Sequence, residues 1–128
     1  MNMKTILIVD DDTNILDLLG QILSKEEFHV LKAASGKEAL RLIEKHIPDL
    51  LILDIVLEDM NGGELYSVIR QRTKRSDIPV IFLTGLITSS EKNDHLIIKI
   101  GNVAHQTLSK PFEIEEILSL VKKFFPPS

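Results

Sequence analysis

The stretch that decides the fold is Asp49-Leu-Leu-Ile-Leu-Asp54-Ile-Val-Leu-Glu-Asp-Met-Asn-Gly-Gly-Glu64. Four apolar residues, Leu50 to Leu53, end abruptly in one acid. So short a run, with Pro48-Asp49 before it and Asn61-Gly62-Gly63 after it, predicts a strand buried on both faces. Asp54 then sits where a central strand leaves its sheet, the edge at which open α/β sheets bind ligands. Other runs end alike. Ile6 to Val9 runs into Asp10-Asp11-Asp12, Val80 to Leu83 into Thr84, and a weaker strand over Val103 to Ser109 into Lys110. Acids, a hydroxyl and an ammonium are thus delivered to one edge by several strands.

Helical periodicity fills the intervals. Asp10-Asp11-Asp12-Thr13 breaks the first strand and suits an exposed helix N-terminus, and Ile15, Leu18, Leu19, Ile22 and Leu23 mark one face of the helix that follows. Phe28 to Ala33 is a second strand. Ser35-Gly-Lys-Glu38 has the form of a capping box, opening a helix with Ala39, Leu40, Ile43 and Ile47 inward and closed by Pro48. Asn61 opens a third helix with Leu65, Val68 and Ile69 inward. Thr88-Ser-Ser-Glu91 predicts a fourth helix ending near Gly101, and Ile114, Ile117, Leu118 and Val121 belong to a last one, stopped by Pro126-Pro127. The pattern is α/β: a (βα)5 doubly wound parallel five-stranded sheet, flavodoxin-like. The order 2-1-3-4-5, borrowed from known folds of this kind, puts strands one and three side by side, so that Asp10, Asp11 and Asp54 converge.

The 128 residues make one ordinary domain, and 44% hydrophobic content suffices for its core. Fifteen basic against nineteen acidic residues, 15 − 19 = −4, argue against direct binding of nucleic acid. The densest basic run, Arg70 to Arg75, reads as a solvated helix end. With no cysteine, disulfides, thiolate metal sites and cysteine nucleophiles are excluded. No apolar stretch approaches a membrane span and the N-terminus turns acidic too soon for a signal peptide, so a cytoplasmic protein is expected. The four histidines, 29, 46, 95 and 105, lack ligand spacing.

Converging carboxylates repel and raise one another's pKa unless a cation neutralises them. Oxygen donors without a His or Cys cluster favour Mg²⁺. With Lys110 to pair with anionic oxygens and Thr84 to donate a hydrogen bond, the set suits phosphoryl transfer onto a carboxylate, and Asp54 is the central candidate.

These motifs resemble the receiver domains of two-component response regulators. The matching residues are ILIVDDD at 6–12, LLILD with Gly62 eight residues on, VIFLTG at 80–85 and KPF at 110–112. The resemblance covers essentially the whole chain. It implies that Asp54 accepts a phosphoryl group from a phosphohistidine on a sensor histidine kinase or histidine phosphotransfer protein. It implies Mg²⁺ held by Asp10, Asp11, Asp54 and the Val56 backbone carbonyl, with Thr84 and Lys110 on the phosphoryl oxygens. Lys110-Pro111 resembles the family's cis peptide, which an X-Pro bond permits, and movement of Thr84, beside Gly85, would switch a protein-binding surface for a downstream partner. On this resemblance the chain is a single receiver domain over residues 1–128 without an output domain. It assists its own phosphorylation and dephosphorylation rather than acting as an enzyme on an outside substrate.

The chain departs from the family in places. Thr107 stands where an aromatic residue is usual and Glu58 where proline is common, and the segment from Thr84 to Lys110 is longer than usual. Apolar Val56 and Leu86, at positions where the family tunes access of water, predict slow self-dephosphorylation. Three rivals are weaker. Asp10-x-Asp12-x-Asn14 starts like an EF-hand loop, but Ile15 replaces its glycine and Gln21 its closing glutamate. An aspartate phosphohydrolase would make Asp10 the nucleophile, but Asn14 breaks its motif. A non-phosphorylated interaction module usually lacks one of the acids or the lysine, and all are present here.

Overall fold

The computed structural model describes residues 3–85, 97–100 and 103–126. Its elements are β1 (Thr5–Val9), α1 (Thr13–Lys25), β2 (His29–Ala33), α2 (Gly36–Leu42), β3 (Leu50–Asp54), α3 (Gly62–Thr73), β4 (Val80–Thr84), β5 (Ile97–Ile100), β6 (Val103–Ser109) and α4 (Ile114–Phe124). They form one sheet in the order β2-β1-β3-β4-β6-β5. The first five strands of that order are parallel, and β1 lies between β2 and β3. The expected order 2-1-3-4-5 is therefore present, its fifth strand being β6.

The central strands β1, β3 and β4 are buried on both faces, which is why they read as continuous apolar runs rather than alternating ones. Successive residues go to opposite sides. Leu7, Val9, Leu51, Leu53 and Phe82 pack with Ala39 and Ile43 of the α2 region and Leu65, Tyr66 and Ile69 of α3. Ile6, Ile8, Leu50, Ile52, Ile81, Leu83 and Leu108 pack with Leu16, Leu19 and Leu23 of α1 and Ile117, Leu120 and Val121 of α4. Each such side chain contributes roughly 1.5–3 kcal/mol on full burial. Phe125 lies 5.5 Å from Phe28, ring centre to ring centre, and so fastens the end of α4 to the sheet. None of the described helices is long and apolar enough to cross a membrane.

Local chemistry sets the helix starts. Asp12 caps α1 by accepting from Asn14 N at 3.0 Å. Asn61 and Glu64 bond reciprocally at α3, Glu64 N to Asn61 Oδ1 at 2.8 Å and Asn61 Nδ2 to Glu64 Oε1 at 2.7 Å. At α2, Glu38 N donates to Ser35 Oγ at 3.1 Å, but the Glu38 carboxylate reaches back to Ala34 N rather than to the cap residue itself.

Several expectations are corrected. The helix predicted to end near Gly101 does not include Ile97–Ile100, which is a strand antiparallel to β6, with Ile97 opposite Gln106 and Ile100 opposite Val103. Three isoleucines in four residues favour an extended chain, because β-branched side chains fit a pleated surface better than a helical turn. The Thr88–Glu91 capping box and Leu86 lie outside the described residues. Helix α2 stops at Leu42, short of Ile47, which is 53% exposed rather than inward. Pro48 bars Ile47 from helical geometry, and the chain turns instead into β3, with Asp49 N donating to Thr5 O at 2.7 Å. Leu18, on the apolar face marked out for α1, and Ile114, at the start of α4, are 44% and 42% exposed.

Candidate functional site at the carboxyl edge of the sheet

The pairing of β1 with β3 aligns Val9 with Leu53, so the next residues, Asp10 and Asp54, emerge side by side. Asp10 has no exposed surface and Asp54 only 5%. Asp11 is exposed at the rim. Carboxylate oxygens of Asp10, Asp11 and Asp54 lie within 4.8 Å of one another.

Lys110 closes the group from the end of β6. Its ammonium is 2.7 Å from Asp10 Oδ2 and 3.1 Å from Asp54 Oδ2. The remaining carboxylate oxygens are held by backbone: Asp12 N donates to Asp10 Oδ1 at 2.9 Å, and Val56 N to Asp54 Oδ1 at 3.1 Å. Burial pushes the Asp10 carboxyl above its ordinary value, opposed by its hydrogen bond with Lys110 and by Asp12 N. For Lys110 burial pulls downward, but the hydrogen bonds to Asp10 and Asp54 outweigh it and the net shift is upward. The ammonium is thus fixed as a cation between two carboxylates.

Backbone contacts hold the frame. Lys110 N donates to Thr84 O at 2.8 Å and Ile55 N to Leu83 O at 2.9 Å, tying the ends of β6 and β3 to β4. The Lys110-Pro111 bond is cis, as the sequence led us to expect. Gly62 N donates to Ile55 O at 2.7 Å, and a Cβ on Gly62 would overlap the Asp54 carbonyl oxygen, so only glycine lets α3 start this close to the acid. Thr84 is 3% exposed at the end of β4. Beside it, a Cβ on Gly85 would meet nothing within 4 Å. Val56 is 54% exposed at the mouth, and Glu58 is exposed in the loop beyond. Thr107 lies deeper, within β6, and is 7% exposed.

Sequence reasoning missed two contributors. Asp59 accepts from Gly36 N at 3.0 Å and Lys37 N at 2.9 Å, joining the loop after Asp54 to the start of α2. These partners stand more than twenty residues apart in the chain, and no local pattern announces them. Tyr66 is buried in α3 with its hydroxyl donating to Ile78 O at 2.9 Å. Its place one residue after Leu65 on the apolar face of α3 was the available signal.

The comparisons with known proteins agree with this arrangement. A family model described as the response regulator receiver domain matches residues 6–122. The chain belongs to the response regulator receiver family. It is 37% identical over 128 residues to the sporulation initiation phosphotransferase F of Bacillus subtilis, covering 98% of this chain and 96% of that protein. It is 32% identical over 120 residues to the heme response regulator HssR of Staphylococcus saprophyticus, covering 94% of this chain but 50% of that protein. Among solved structures, chemotaxis protein CheY4 of Vibrio cholerae superposes with a TM-score of 0.81 at 27% identity, over 97% of this chain and 100% of that one. Response regulator TrrA of Thermotoga maritima, solved in complex with Mg(2+)-BeF, gives a TM-score of 0.75 at 34% identity, over 96% of this chain and 100% of that one.

Receiver domains are phosphorylated on an aspartate by histidine kinases or phosphotransfer proteins, and in general bind Mg²⁺. The residues present here fit such an ion. The cluster offers oxygen donors only, from one fully buried and one nearly buried acid with a third at the rim, the donor set that suits a small hard cation.

Proposed function

We propose that Asp54 is the phosphoryl acceptor of this receiver domain. The observation that carries this reading is the position of Asp54 at the end of the central strand, 3.1 Å from Lys110 and within the acidic cluster. The donor is a phosphohistidine on a sensor histidine kinase or a histidine phosphotransfer protein. An Asp54 carboxylate oxygen forms the new bond to phosphorus, the bond from phosphorus to the imidazole nitrogen breaks, and the imidazole leaves with its electron pair and takes up a proton.

Lys110 would pair with the phosphoryl oxygens, giving up part of its contact with Asp10, while Thr84 would donate a hydrogen bond to another of them. Asp10, Asp11, Asp54 and the Val56 carbonyl would hold Mg²⁺. When bound, that ion neutralises the charge gathered on the transferring group. Asp10 is a poor alternative nucleophile, since it is fully buried with one oxygen on Asp12 N and the other against Lys110.

The product is a phosphorylated protein with an altered binding surface, read by a downstream protein rather than by nucleic acid. Thr84, Gly85, Thr107 and Pro111 lie along the two strand ends through which that change would pass. The exposed Val56 at the mouth supports a long-lived phosphoryl group.

Intact mass after incubation with Mg²⁺ and acetyl phosphate tests the proposal. Wild type gains one phosphoryl group, Asp54→Asn gains none, and EDTA abolishes the gain. A gain that persists in Asp54→Asn would move the nucleophile to Asp10 or elsewhere.

A further inference from the structure

The loop after Asp54 is braced against the start of α2 by a contact that phosphoryl transfer does not by itself require. Asp59 is exposed, yet both of its carboxylate oxygens are engaged. Oδ1 accepts from Gly36 N at 3.0 Å and Oδ2 from Lys37 N at 2.9 Å. Two parallel bonds from adjacent amides hold a carboxylate in position as well as in orientation. Next to it Met60 lies over Gly36, where an added Cβ would stand 2.6 Å from Sδ. Met60 also packs against the core cluster in which Leu57 is buried.

Helix α2 does not need this contact in order to begin. Ser35 already caps it, with Oγ accepting from Glu38 N at 3.1 Å and the Ser35 carbonyl from Ala39 N at 3.1 Å. The loop gains more. Its base is closed by the pairing of Val56 with Asn61 and by the bond from Gly62 N to Ile55 O, and Asp59 fastens its tip. The turn that receives Asp59 also supports Asp10, whose backbone N donates to Ala33 O at 3.1 Å. The turn between β2 and α2 is therefore a shared support for two candidate ligands of the cation, Asp10 directly and Val56 through the loop. Ligands held in place beforehand bind an ion without the entropy cost of ordering a loop at that moment.

Resting on the reading of Val56 as a ligand of the cation, we propose that Asp59 is a positioning residue for the Mg²⁺ site. Its two bonds to the start of α2 fix the loop that carries the Val56 carbonyl, so that the ligand set is assembled in the free protein. Without them the loop keeps its closed base and the packing of Leu57 and Met60, but its tip is no longer fastened. Binding of the ion must then also order the loop, and the affinity falls.

The test is calorimetric titration of the full, unphosphorylated chain with Mg²⁺, in about 0.5 M KCl so that exposed charges are screened within a few ångströms. Asp59→Ala should bind Mg²⁺ about tenfold more weakly than wild type, the lower end of what loss of an outer-shell partner costs. Asp59→Asn, which keeps one acceptor oxygen, should fall between the two. Two further variants separate positioning from its rivals. Glu58→Gln removes an exposed charge from the same loop without touching the brace, and Ser35→Ala removes the cap of α2 while leaving the brace in place. Both should bind Mg²⁺ as wild type does.

Wild-type affinity in Asp59→Ala overturns the proposal; should that variant fail to fold, wild-type affinity in Asp59→Asn does so. An equal loss in Glu58→Gln overturns it too, because Asp59 would then act through its charge, and an equal loss in Ser35→Ala would reduce Asp59 to a cap of α2. A wild type that binds no Mg²⁺ is a separate result: it removes the cation site itself, and this proposal falls with it.

Discussion

Lys110 Nζ lies 2.7 Å from Oδ2 of Asp10, an acid with no exposed surface, closer than it lies to Asp54 at 3.1 Å. The ammonium is the charge partner of an acid that water does not reach. Removing it leaves buried negative charge uncompensated, which is more costly than losing a surface ion pair.

Lys110→Met should therefore lower stability in EDTA by about 2–3 kcal/mol, below the range for fully buried pairs because solvent reaches part of the lysine. Mg²⁺ should restore a good part of that loss by supplying positive charge to the same carboxylates. Urea denaturation with and without Mg²⁺ checks both. Equal stability of variant and wild type in EDTA would show that Asp10 does not depend on the ammonium.

The upward shift of Asp10 makes a prediction about pH. Burial raises its carboxyl above the ordinary 3.8, against the opposing hydrogen bond from Lys110, so the folded state binds this proton more tightly than the unfolded state. The contribution of Asp10 to stability then falls as pH rises from the ordinary value through the raised one, and stays low above it. In EDTA, wild type should lose stability relative to Asp10→Asn as pH rises above that ordinary value. Lys110 acts at the other end. Its raised value means that its contribution is complete below the ordinary 10.5 and is lost as pH climbs through the folded value. Denaturant midpoints across pH measure both arms, and a wild type that gains on Asp10→Asn with rising pH would reverse the sign assigned to Asp10.

Most of this site was legible in the chain because strand ends are local features. Asp10, Asp54 and Thr84 each follow an apolar run and Lys110 follows a weaker, more polar strand, and parallel pairing brings such ends to one edge wherever the strands begin. The parts that were not legible depend on distance or on competition. Asp59 reaches Gly36 and Lys37 across more than twenty residues. Ile47 fits the helical period of α2, but Pro48 next to it overrides that period. Ile97–Ile100 followed a plausible capping box, and the β-branched run with an open edge of β6 beside it took precedence. The buried hydroxyl of Thr107, which has no hydrogen-bond partner, could not be foreseen either, since a sequence reveals a departure from a family's habit but not whether the replacement finds a partner.

Asp59 offers a third prediction. Its carboxyl is held below the ordinary value by the backbone amides of Lys37 and Gly36, the first of the unpaired donors at the start of α2. Asp59→Ala should cost about 0.5–1 kcal/mol at neutral pH, as loss of a helix cap does. A depressed acid contributes above its unfolded value and loses that contribution as pH falls through the folded one. The gap between variant and wild type should therefore close in acid. A gap independent of pH would mean that Asp59 acts by packing its loop rather than by charge.

Gly62 tests how tightly the phosphoacceptor strand is held. A methyl group there would overlap the Asp54 carbonyl oxygen and press on the Ile55 Cα. Neither is the end of a flexible side chain, so the strand end or the start of α3 must move. Overpacking of this kind costs about 1–3 kcal/mol, against which the better helix propensity of alanine returns at most about 1 kcal/mol. Gly62→Ala should melt below wild type and take up the phosphoryl group from acetyl phosphate more slowly, because Asp54 is displaced relative to Lys110 and Asp10. Intact-mass time courses alongside thermal melts separate the two effects. A variant with wild-type stability and wild-type uptake would show that α3 can withdraw freely, and that its close approach is not what positions Asp54.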